Sequence, residues 1–169
     1  MSVLTKPSTH DPADRAGFYA QLHTELAAYI VNERDWLVNL ANASALLYQR
    51  LPELNWAGFY LWRGDELVLG PFQGKPACTR IALGRGVCGT TAKTRTTTVV
   101  PDVHAFPGHI ACDAASASEI VVPMLRGEHL LGVLDLDSPR RGRFDAADAA
   151  GLELFVQKLV AGIDWPDAF

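Results

Sequence analysis

Apolar residues recur along the first third of the chain with a helical period. Within residues 13–30 they fall at Phe18, Leu22, Leu26 and Ile30, and within 35–51 at Leu37, Leu40, Leu47 and Leu51, so both stretches predict amphipathic helices. The pattern then changes. Asn55-Trp56-Ala57-Gly58-Phe59-Tyr60-Leu61-Trp62 is an aromatic-rich run, Arg63-Gly64-Asp65-Glu66 follows as a turn, and Leu67-Val68-Leu69-Gly70-Pro71-Phe72 resumes it, predicting strand, turn and strand. Residues 80–83 and 96–100 read as two more short strands, separated by a helix beginning near Val87. From Pro101 to Ser118 prolines, glycine, histidines, a cysteine and small residues break every period, and a connection of that length in a compact domain is usually functional or disordered. A β-hairpin is predicted next, residues 119–125 against 130–137, closed around Gly127. The last element is a helix with Asp145 as N-cap and Asp148 three residues on, carrying Leu152, Phe155, Val156, Leu159, Val160 and Ile163 on one face.

Helices at both ends with strands between them point to an α+β fold and away from alternating βαβ units. A chain of 169 residues fits one domain with a sizeable core. Residues 1–12, polar with two prolines, read as a flexible arm, and residues 13–165 as a single domain. The composition, 49% hydrophobic and 20% charged with a net charge of -4, is that of an ordinary globular protein with no general attraction for nucleic acid or anionic lipid. The first residues have no signal-peptide core and no apolar run reaches the length of a membrane span, so the expected location is the cytoplasm. Three cysteines, an odd number, argue against a secreted disulfide framework.

Those cysteines are the first candidates for chemistry, because a thiolate is both nucleophile and metal ligand. Cys78 follows Gly74-Lys75-Pro76-Ala77 in a turn-rich segment, and Cys112 lies in the long loop beside His109 and Asp113. Cys88 lies in Gly84-Arg85-Gly86-Val87-Cys88-Gly89, at the start of the predicted helix, where free amides and the helix dipole favour a thiolate. Each alone reads equally as a packed structural thiol. Their places in loops and at a helix end, outside the apolar stripes, favour chemistry. A structural zinc site with His104 or His109 as fourth ligand is the competing use, although such sites usually bring cysteines in close pairs. The glycines around Cys88 match neither a dinucleotide fingerprint nor a P-loop. His10, His23 and His129 read as ordinary surface or strand-end residues.

The second constellation is acidic. Asp135 and Asp137 sit at i and i+2 near the end of an apolar strand and therefore share a face, while Glu119 begins the partner strand. With a three-residue hairpin loop Glu119 falls opposite Asp135; with a two-residue loop it turns away unless a bulge intervenes. Converging carboxylates away from water require a cation or a shared proton, which a substrate ammonium group would satisfy. They read otherwise as plain markers of a strand end. Trp56 and Tyr60 share a face by parity and form either core or an aromatic wall for a thioether or methyl group.

Taken together, the aromatic strand 55–60, Gly70-Pro71-Phe72-Gln73-Gly74-Lys75-Pro76-Ala77-Cys78, the Gly84-to-Cys88 motif, the Pro101-to-Asp113 loop, Ser118-Glu119-Ile120-Val121-Val122-Pro123 and Gly132-Val133-Leu134-Asp135-Leu136-Asp137-Ser138 resemble the GAF-domain free methionine-R-sulfoxide reductases. The resemblance implies a GAF-like fold with a central antiparallel sheet of about six strands between the terminal helices, often as a homodimer. It implies Cys112 as attacking thiolate, Cys78 as resolving partner and Cys88 as a second resolving or alternative attacking cysteine. Asp137 or Glu119 would then serve as acid, and Glu119, Asp135 and Asp137, with Trp56 and Tyr60, would bind free methionine sulfoxide. Backbone amides around Ser116, Ala117 and Ser118 would hold its carboxylate. An external dithiol such as thioredoxin would reduce the resulting disulfide, with no metal or organic cofactor. The rival readings are a stand-alone ligand-binding or sensor domain and a zinc-dependent structural module.

Overall fold

The computed structural model describes residues 12–110 and 112–169. The proposed N-terminal arm therefore falls almost wholly outside the described residues. Helix α1 (Pro12–Ile30) and helix α2 (Trp36–Arg50) lie where the apolar periods place them. Asp35 starts α2 by accepting a hydrogen bond from the Val38 amide at 3.0 Å. Leu37, read as part of the α2 stripe, is exposed instead; the buried face runs through Leu40, Ala43, Leu46 and Leu47.

Six strands form one antiparallel sheet: β1 (Trp56–Arg63), β2 (Glu66–Gly74), β3 (Arg80–Ala82), β4 (Thr98–Val100), β5 (Ser118–Arg126) and β6 (His129–Ser138), in the spatial order β3-β2-β1-β6-β5-β4. Helix α3 (Gly86–Thr94) links β3 to β4, and α4 (Ala146–Gly162) closes the chain behind a capping box of Asp145 and Asp148. The long connection from β4 to β5 is not entirely irregular: Val103–Ala105 forms a 3-10 turn, capped by Asp102, which accepts from the His104 amide. No helix of the described residues is long and apolar enough to cross a membrane.

Because neighbouring strand residues point to opposite faces, the sheet carries two cores. One face buries Phe59, Leu61, Ile120, Val122, Leu134 and Leu136 against α1, α2 and α4. The other packs Trp56, Tyr60, Val121 and Val133 with Val87, Cys88 and Ala92 of α3. Beneath the first face, Asp148 is buried and accepts from Tyr19 Oη at 2.7 Å and Arg143 Nη1 at 3.1 Å, while Arg15 Nη2 approaches to 2.6 Å. This cluster bolts α1 to α4 and to the segment leaving β6.

The β5–β6 hairpin decides which face the acids occupy. Its loop is two residues, with Arg126 opposite His129, a register that would turn Glu119 away from Asp135 and Asp137. Leu125 pairs with Leu130 but Met124 pairs with Gly132, so Leu131 is an extra residue, a bulge. The slip restores parity and sets Glu119 directly opposite Asp137. At the bulge a Cβ on Gly132 would stand 2.1 Å from the Tyr60 carbonyl oxygen, and φ there is 154°, so only glycine fits between β1 and β5. Replacing Gly132 with Ala is expected to lower unfolding free energy by more than about 2 kcal/mol, measured by denaturant titration, because the β1 flank it meets is backbone at Tyr60 and Leu61, even though the Met124 tip on the other side can move.

Candidate functional site

The second face of the sheet carries the chemistry. Trp56 pairs with Asp137 across β1 and β6, and Asp137 with Glu119 across β6 and β5, so three functional side chains form one row over three strands. The next row holds Gly58 and Asp135. A Cβ on Gly58 would come within 2.8 Å of the Trp56 ring, so the missing side chain lets the indole lie across the strand. Trp56 stacks on Phe72 at 5.2 Å and on Tyr60 at 5.9 Å, forming the aromatic wall read from the strand parity.

Helix α3 lowers Cys88 onto this row, with Sγ 4.0 Å from Glu119 Oε1. The ligand atoms of Cys88, Glu119 and Asp135 all lie within 4.8 Å of one another, and Asp135 Oδ1 is buried without a hydrogen-bond partner. Burial pushes the Glu119 carboxyl well up, helped by Asp137; it does the same to Asp135, helped by Glu119, and to Asp137, helped by Asp135. Ser116 partly offsets the rise at Asp137. The thiol of Cys88 is also pushed well up, first by burial and then by Asp135 and Glu119. The helix-start argument for a Cys88 thiolate is thereby overturned. A dipole stabilises by up to about 2 kcal/mol, less than full burial beside carboxylates opposes. Cys88 is also packed in the second core, contrary to its reading as a cysteine outside the apolar faces.

Two loops close over the acids; β1 holds one and Asn55, just before it, the other. Trp56 Nε1 donates to the Lys75 carbonyl at 3.1 Å and Tyr60 Oη to the Cys78 carbonyl at 2.9 Å. Asn55 Nδ2 donates to Asp113 Oδ2 at 3.1 Å and Ser116 Oγ at 3.0 Å, and Lys75 Nζ stands 3.7 Å from Asp113 Oδ1. Anchored this way, Cys78 and Cys112 are joined in a disulfide with their Cα atoms 5.7 Å apart. Joined in this way, Cys78 and Cys112 do not offer thiolates to a metal in this oxidised form. The cavity beneath is lined by Trp56, Tyr60, Cys88, Glu119, Asp135 and Asp137 among others and leaves about 40 Å³ of free space, the room of about three waters.

Ser116 lines the cavity, but Ala117 and Ser118 do not. The Ser116 amide donates to the Asp113 carbonyl at 3.2 Å and the Ala117 amide to the Ser138 carbonyl at 2.8 Å. Ser118 Oγ donates to the Arg140 carbonyl at 2.6 Å, on the far side of β5 from Glu119. With the loop closed, the Ser116 and Ala117 amides expected to hold a carboxylate are engaged inside the protein, and the Ser118 side chain points away. Asn55, Lys75 and Asp113 are the parts of the site that residue types alone did not single out; each flanks a cysteine or aromatic motif in sequence, which is the only signal they give. His109, read from the sequence only as a possible zinc ligand, has Nε2 3.5 Å from Glu119 Oε2, and burial lowers its pKa. His104 is exposed and does not line the cavity.

The GAF domain family matches residues 13–163. Over 159 residues, 92% of this chain and 96% of the relative, the sequence is 50% identical to the free methionine-R-sulfoxide reductase of Escherichia coli. Among solved structures it is similar to the free methionine-R-sulfoxide reductase of Neisseria meningitidis in complex with its substrate, with a TM-score of 0.85 at 42% identity over 93% of this chain and 95% of that one. The reduced form of the Staphylococcus aureus enzyme gives a TM-score of 0.84 at 49% identity, covering 86% and 95%.

The acid cluster has a consequence for stability. A carboxyl whose folded pKa is raised gives up its proton more easily when unfolded. Its penalty is absent below the unfolded pKa and grows as pH rises toward the folded value, by about 1.4 kcal/mol per unit. Asp135→Asn removes this penalty, so the variant is expected to melt higher than the parent at pH 8 and to differ little at pH 4. Thermal unfolding at the two pH values checks the sign.

Proposed function

The chain belongs to the GAF-domain free methionine-R-sulfoxide reductases, and on that footing we propose that it reduces free L-methionine (R)-S-oxide to methionine through Cys112 and Cys78. The observation that carries this reading is the Cys78–Cys112 disulfide lying across the mouth of a cavity floored by three carboxyls of raised pKa. A ligand-binding module has no need of that bond.

In the reaction, the Cys112 thiolate attacks the sulfoxide sulfur, forming an S–S bond as Glu119 or Asp137 protonates the sulfoxide oxygen. The hydroxyl then passes to the Cys112 sulfur as the new S–S bond and the substrate's S–O bond break, so methionine leaves reduced by two electrons and Cys112 is left as a sulfenic acid. The Cys78 thiol condenses with the sulfenic acid, releasing water and forming the disulfide, and a dithiol of thioredoxin type restores both thiols by exchange. Burial pushes the pKa of both acids well up, which favours the protonated form that a donor to oxygen requires. Cys88, its thiol pushed up, is not the attacking group and stands as a second resolving thiol. No metal or organic cofactor enters these steps.

The substrate's ammonium group takes the place that the orphan oxygen of Asp135 leaves for a donor, with Glu119 and Asp137 beside it. Its methyl-sulfinyl end lies against Trp56 and Tyr60. Its carboxylate stays at the mouth, where the 116–118 segment and Lys75 stand, and the segment's amides become available when the loop opens. A peptide-bound methionine sulfoxide has no ammonium and would leave the acids unpaired.

Methionine formation from the free R-sulfoxide, with a thioredoxin recycling system, tests the reading. Cys112→Ser is expected to abolish it, and Cys78→Ser combined with Cys88→Ser to stop near one methionine per chain, with a sulfenic acid that dimedone traps. Glu119→Gln is expected to lower kcat by about 10²-fold or more, and the parent's activity to fall at alkaline pH as the acids lose their protons. Turnover of a peptide-bound substrate at the same rate would defeat the account of selectivity.

A further inference from the structure

We infer that the same cavity is a zinc site, with Cys88, Glu119 and Asp135 as ligands and His109 as the fourth. The binding goes beyond the reductase reading; only its consequence rests on that reading, since a zinc ion there would occupy the place of the substrate's ammonium and hold the enzyme off.

Three observations converge. The donor atoms of Cys88, Glu119 and Asp135 lie within 4.8 Å of one another, all three residues are buried, and His109 Nε2 stands 3.5 Å from Glu119 Oε2. Tetrahedral zinc with bonds of about 2.0–2.3 Å holds its ligand atoms roughly 3.3–3.7 Å apart, so Cys88, Glu119 and Asp135 each need to move inward by less than about 1 Å, and His109 joins them by a swing of its ring from beside Glu119. Independently, Asp135, only 6% exposed, has an oxygen with no hydrogen-bond partner that a positive ligand would satisfy.

An ammonium group and a divalent cation both answer an orphan carboxylate, and the remaining donors separate them. A thiol and an imidazole add nothing to ammonium recognition by carboxylates. Buried thiolate and carboxylates with a half-buried imidazole beside them are the ligand types of zinc, and the wrong set for magnesium or calcium. On binding, a Zn–S bond forms and the Cys88 proton leaves to solvent, with no change of oxidation state. The ion's two positive charges also offset the repulsion among the acids.

The disulfide makes the test clean, because in the oxidised protein Cys88 is the one free thiol. Zinc is titrated into oxidised wild-type protein against a chromophoric chelator, and cobalt(II) is added in parallel. The expected result is one zinc per chain, weakened at least about tenfold in Cys88→Ala and in Asp135→Asn, and a thiolate-to-cobalt charge-transfer band absent from Cys88→Ala. No zinc uptake by the oxidised wild type, undiminished affinity in either folded variant, or bound cobalt without the thiolate band would overturn the assignment. Activity is not the readout, so this result and the reductase assay stand or fall separately.

Discussion

Three carboxylates cannot all stay charged beside one another inside a protein, and the arrangement of the second face follows from that constraint. Glu119, Asp135 and Asp137 share a few ångströms with a buried thiol, and burial raises the pKa of each, with Asp137 adding to the rise at Glu119, Glu119 at Asp135 and Asp135 at Asp137. The first core provides the stability that this grouping opposes: a continuous apolar layer under α1, α2 and α4, bolted by the Asp148 cluster. One face of the sheet thus holds the fold together while the other keeps an unfavourable charge arrangement ready for a cation or a proton acceptor.

The two loops over the acids are organised by two consecutive residues, Trp56 at the start of β1 and Asn55 just before it. Asn55 holds the segment after Cys112 and Trp56 holds the segment before Cys78, so the spacing of the two sulfurs is set by a rigid element rather than by the loops themselves. Trp56 is at once wall and anchor. A substrate pressing on the indole therefore acts on the hydrogen bond that seats the Cys78 loop, which couples occupancy of the cavity to the position of one of its cysteines.

Much of this was legible in the residues because the signals were periodic or compositional. The helices, the strands and the shared face of Asp135 and Asp137 follow from periods of 3.6 and 2, and the cysteines and the aromatic strand announced themselves by residue type. Two kinds of information were not legible. Environment was one: Cys88 looked activated at a helix start, but the depth at which α3 places it, beside acids 31 residues and more away, reverses the sign. Loop hydrogen bonding was the other: nothing in Ser116-Ala117-Ser118 shows that its groups are already committed to Asp113, Ser138 and Arg140. The hairpin lay between these cases, since the sequence posed the register as a condition and only three-dimensional pairing decided it.

The extra residue at Leu131 gives the hairpin the character of a parity bit. An even number of residues gained or lost between Glu119 and Asp137 leaves the acids on their own face, whereas an odd number exchanges the contents of the two faces, driving carboxylates into the helix-covered core and Ile120 into the cavity. Substitutions test such a hairpin one side chain at a time; a single-codon deletion tests all of it at once. Length variation between Glu119 and Asp137 should consequently be confined to paired changes, and lineages that gain or lose an odd number of residues there would lose the site and the fold together.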